Sequence, residues 1–184
     1  MSAPKAQLET LPRSLTLMLA VALIGLAAVP VFGADYTIGL VTSMMIMAIF
    51  AMSLDLLQGV TGLVSLGHAA FFGLAGYALA FMTPSGQAVS LWWTLPLAVG
   101  ASALAALLIG FFVVRTHGIY FIMVTMAFAQ MVYFLFFDIK ALGGSDGLYL
   151  NFKPDAGLFD LEDKRVFFWF TLACLVATYA FLRR

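Results

Sequence analysis

Between Leu56 and Val114 the chain contains no Asp, Glu, Lys or Arg, and residues 56–81 of that run carry Gly59, Gly62, Gly67, Gly73 and Gly76. A single crossing of the hydrocarbon core needs about 20 apolar residues, so this run is too long for one span. A water-exposed helix loses stability at each glycine, by about 1 kcal/mol relative to alanine. In lipid the backbone has no competing hydrogen-bond partner, so the same glycines weaken a helix less and let a neighbouring backbone come close. Such a run folds inside a bilayer or not at all.

Composition points the same way. The chain is 64% hydrophobic and 10% charged, against about 45–50% and 25% in soluble domains. Nine basic and nine acidic residues cancel, which leaves no basic field for nucleic acid. Cys174 is the single cysteine, so no internal disulfide forms. The expected architecture is all-α: a polytopic membrane helix bundle of about six transmembrane helices, one permeation-type domain over residues 1–184. The spans fall at 14–34, 36–54, 62–82, 91–114, 118–137 and 166–182, with the polar cluster 83–90 dividing the third from the fourth. The apolar run of the first span is longer than the core of a cleaved signal peptide, so it is read as a retained helix.

Charge in the short loops sets the orientation. With a cytoplasmic N-terminus, Lys5, Arg13, Arg115, Arg183 and Arg184 lie inside, and Asp35 and the loop 138–165 lie outside. Lys164 and Arg165, just before the sixth span, run against this assignment. The remaining loops outweigh them.

On a helix with 100° per residue, Gly62, Ser65, Ala69, Gly73, Gly76 and Ala80 of the third span fall within about 40° of one line. Leu63, Phe71, Leu74 and Phe81 lie opposite. This small-residue face is expected to pack against neighbouring helices. The most polar position within the spans is His68, beside Ser65, and the fifth span carries Thr125 and Gln130. Each is more simply a hydrogen-bonding residue between helices than a site of chemistry. Gly143, Gly144, Asp146 and Gly147, in "GGSDG", have the residue types of a tight turn. No phosphate loop or zinc-binding helix motif is present, and one cysteine with two histidines gives no metal set, so neither a cofactor nor a metal is expected.

In order and spacing, "LLQGVTGLVSLGHAAFFGLAGYALA", "RTHGIYFIMVTMAFAQMVYFL" and "GGSDGL" resemble the permease subunits of branched-chain amino acid ABC importers, and more closely the member of the permease pair with the longer outer loop. Asp55 stands where the family commonly has Asn, and Leu63 where it often has Gln. The resemblance implies a translocation path in the bacterial inner membrane, with a second permease subunit, cytoplasmic ATP-binding subunits and a periplasmic substrate-binding protein as partners. ATP hydrolysis would reside outside this chain. Ser65, Gly67, His68, Thr125 and Gln130 would lie near the path, and the turn at Gly143–Gly147 near its outer mouth. Family members continue past a sixth helix into a segment that docks on the ATPase, so a chain ending at Arg184 is expected to be an incomplete permease. A urea or short-amide permease, a non-transporting assembly protein and, less well supported, an intramembrane enzyme using His68 are the other readings.

Overall fold

The computed structural model describes residues 13–83, 90–140, 143–144, 147–148 and 163–183. Six helices follow one another: α1 (Arg13–Phe32), α2 (Asp35–Thr61), α3 (His68–Met82), α4 (Leu91–Val113), α5 (Ile119–Asp138) and α6 (Lys164–Leu182). Four of them, α2, α4, α5 and α6, are long and apolar enough to cross a membrane. The chain is therefore an all-helical membrane bundle, as its composition requires.

Two boundaries differ from the sequence reading, and both lie at the glycine-rich junction. The second helix does not close at Asp55 but runs on to Thr61, 27 residues in all. At 1.5 Å per residue that is roughly 40 Å, longer than the apolar core, so one end can carry an exposed Asp55 beyond the lipid. The helix stops at Gly62, whose φ of 67° is left-handed and whose N–H bonds the Gln58 carbonyl. The third helix then starts six residues later than its 3.6-residue period suggests. Its 15 residues span only about 22 Å, and residues 62–67 complete the passage without helix.

Packing divides the helices into two groups. The most extensive contacts are α2 with α6 and α3 with α4, while α5 rests more lightly on α3 and α4. Ile38 and Met45 of α2 meet Phe168 and Leu172 of α6, with Leu26 and Val29 of α1 against them. The spacings of seven and four keep each pair on one face. Thr42 and Thr171, buried beside this cluster, return their hydroxyls to the Ile38 and Phe167 carbonyls of their own helices. In the second group, the Ser102 hydroxyl of α4 donates to the Phe71 carbonyl of α3 at 3.0 Å.

Lys164 Nζ lies 3.6 Å from Asp35 Oδ2, which brings the starts of α2 and α6 to the same end of the bundle. The dissenting Lys164 thus has an acidic partner at that end. The pair is well exposed, so it contributes little stability; its value is as a marker of parallel helices. Removing the fully buried Phe168 ring should loosen the α2–α6 pair. Phe168→Ala is expected to cost about 3–5 kcal/mol in a detergent unfolding titration, with helix content retained in the folded baseline.

Candidate functional site

The segment between α2 and α3 is the least regular part of the described membrane region. Irregular backbone is tolerated at such a depth only where protein covers it. Ser65 and Gly67 are buried accordingly, Ser65 with 6% of its surface exposed. Gly67, just before α3, lies against α5: a Cβ there would sit 2.7 Å from the Thr125 carbonyl oxygen. Its φ is an ordinary −83°, so glycine is needed for proximity and not for backbone conformation. Thr125 is itself buried, and its hydroxyl donates to the Ile122 carbonyl at 2.9 Å.

Further along the same two helices, Tyr77 of α3 stacks on Phe136 of α5, with ring centroids 4.1 Å apart and planes 20° from parallel. The two contacts join residues 58 and 59 apart in sequence, so α3 and α5 run parallel and almost in register. Between them lies a cleft of about 710 Å³, walled by Ala69, Gly73 and Leu74 on one side and Ala129, Gln130 and Val132 on the other. Gly144 and Gly147 close over its end.

The small-residue face is thus divided by the structure. Gly62 and Ser65 do not lie on α3: Gly62 ends α2 and Ser65 belongs to the connector. Ala69 and Gly73 line the cleft. Cβ atoms added at Gly73 and Gly76 would meet nothing within 4 Å, so within this chain they open space instead of seating a helix. Ala80 is half-buried further along α3. Among the four polar candidates, Gln130 alone is part of the cleft wall.

His68 faces the other way, into a separate groove between α2, α3 and α4. Its Nε2 is 2.8 Å from Ser53 Oγ, and its ring lies 5.1 Å from that of Phe50. Ser53 already donates its hydroxyl proton to the Phe50 carbonyl at 2.7 Å. The Ser53 oxygen therefore accepts from His68, which places the imidazole proton on Nε2. His68 is a tether from α3 to α2.

At the far end, Gly143, Gly144 and Gly147 have φ of 97°, 55° and 71°, as a glycine-built turn requires. Gly143 has a second constraint, since a Cβ would approach the Gly147 carbonyl group at 2.6 Å. Asp146 lies outside the described residues. No group of three or more potential metal ligands occurs among the described residues.

Residues 36–184 match the model of a family described as "Branched-chain amino acid transport system / permease component". The chain belongs to that permease family. It is similar to the high-affinity branched-chain amino acid transport system permease protein LivM of Salmonella typhimurium, with 33% identity over 130 residues. LivM of Escherichia coli K12 is 32% identical over the same length. Each match takes in 70% of this chain and 30% of the relative, so the matched region spans under a third of the relatives' length. No solved structure matches it significantly.

Four positions of this permease-family chain carry contacts that its sequence did not single out: Ser53 under His68, Ser102 under the Phe71 carbonyl, and the Tyr77–Phe136 pair. Only the Met- and Phe-rich character of α5 hinted at the last. Gly67 and Gly73, equivalent by composition, should respond oppositely to one methyl group. Gly67→Ala is expected to lose about 1–3 kcal/mol through overlap with a backbone that cannot retreat, and Gly73→Ala to stay within about 0.5 kcal/mol of wild type; parallel unfolding curves in detergent read both. A double-mutant cycle over Ser53→Ala and His68→Ala should return a coupling of about 0.6 kcal/mol, the usual worth of a hydrogen bond between membrane helices.

Proposed function

We propose that this chain forms part of the translocation path of an ATP-driven importer of branched-chain amino acids. It would sit in a bacterial inner membrane with its N-terminus in the cytoplasm and the 138–165 loop outside. A second permease subunit, cytoplasmic ATP-binding subunits and a periplasmic binding protein complete the machine, and the ATP-binding subunits hydrolyse the nucleotide. The family match over residues 36–184 carries this reading.

The cleft between α3 and α5 supports it chemically. An aliphatic amino acid needs a path whose walls accept a branched apolar side chain, and Ala69, Gly73, Leu74 and Val132 offer such walls. Gln130 supplies an amide that can exchange hydrogen bonds with the polar end of the solute. Small residues at 69 and 73 keep the passage wide, which gives this part of the small-residue face a role beyond packing.

Uptake by the complete transporter, reconstituted in liposomes with its cognate binding protein, tests the proposal. ATP-dependent accumulation of leucine, isoleucine and valine is expected. Accumulation of urea or a short amide with no leucine transport would reject the substrate assignment. Stable assembly with no ATP-binding partner would reject the importer itself.

A further inference from the structure

The seam between α3 and α5 is closed twice, by contacts of different mechanical character. At one end Gly67 abuts the Thr125 carbonyl, backbone against backbone, with no side-chain torsion that could relieve it. About 15 Å further along α3, Tyr77 lies flat on Phe136. Beyond the rings, Gly144 and Gly147 of the glycine turn border the same cavity. The cavity wall begins at Ala69 and Ala129, past the backbone contact.

The geometry points to the Tyr77–Phe136 stack as the movable gate of this cleft, on the side of the glycine turn, with Gly67–Thr125 as its fixed floor. Each ring turns about its own side-chain bonds, so the stack can part while both helices stay in place. The floor separates only if α5 moves away from α3. Since α3 is held more extensively by α4 than by α5, α5 is the wall that would move in such a step. The chamber between the closures takes a small solute with an apolar side chain; that identity rests on the importer reading above, whereas the gate rests on the ring and backbone contacts.

Substituted-cysteine labelling of the complete transporter in liposomes tests the gate. With Cys174→Ser to remove the native thiol, Ala129→Cys places a reporter in the cleft wall. A membrane-impermeant maleimide is then added from the side of the glycine turn. Tyr77→Ala should raise the labelling rate about three- to tenfold, the factor equivalent to one lost ring stack. Tyr77→Phe, which keeps the ring, should leave it unchanged. Phe136→Leu repeats the test from the opposite wall should Tyr77→Ala fail to assemble. Separately, Tyr77→Cys with Phe136→Cys, joined by a bifunctional maleimide, should stop ATP-driven leucine uptake, while the same pair left unjoined transports. Unchanged labelling in both ring-removing variants, or uptake that survives cross-linking, overturns the gate. If wild type transports no branched-chain amino acid, the importer reading falls and the labelling result still decides whether the rings close the cleft.

Discussion

The close approach of Gly67 to the Thr125 carbonyl holds together a region that would otherwise be untenable in lipid. Between α2 and α3 the chain leaves its helix for residues 62–67, and backbone groups released at that depth need protein around them. The approach of α5 covers this segment from one side, and the His68–Ser53 hydrogen bond ties the start of α3 to α2. A β-carbon at Gly67 would push α5 away, removing cover from the connector and disturbing the parallel register that brings Tyr77 to Phe136. Floor, cleft and ring stack thus depend on a side chain that is absent.

Elsewhere the bundle shows how little apolar burial a membrane protein needs within its own chain. Phe32 is 88% exposed and Trp93 74% exposed, an arrangement that would aggregate in water and is ordinary against acyl chains. Association between helices comes from shape and from a few satisfied polar contacts. The threonines that sit between helices, Thr42, Thr125 and Thr171, return their hydroxyls to carbonyls of their own helices. They are small enough for close packing and leave no polar group unanswered.

The sequence disclosed much of the fold and less of the site. All six helices lie close to their expected places because the uncharged runs and their polar breaks mark the bilayer directly. The error at the α2–α3 junction came from treating small-residue periodicity as helix: Gly62 and Ser65 continue the 100° pattern of Ala69 and Gly73, yet Gly62 takes a left-handed φ that ends a helix. Periodicity describes which residues would share a face if the helix exists; it does not say where the helix starts. His68, grouped by proximity with the path, faces α2 and α4 instead, since a few residues' difference around a helix selects a different neighbour.

The sequence alone determined that this chain lives in a membrane, that it crosses as helices, and that its glycine run and "GGSDGL" turn mark a permease family. Each of these depends on local composition, spacing or motif, which one strand of residues carries in full. The tertiary structure decided which glycines touch and which leave space, that α3 and α5 run parallel in near register, and that Tyr77 meets Phe136 across 59 positions. Those outcomes depend on how separate helices are set against one another, a relation between distant segments that no single segment's pattern contains.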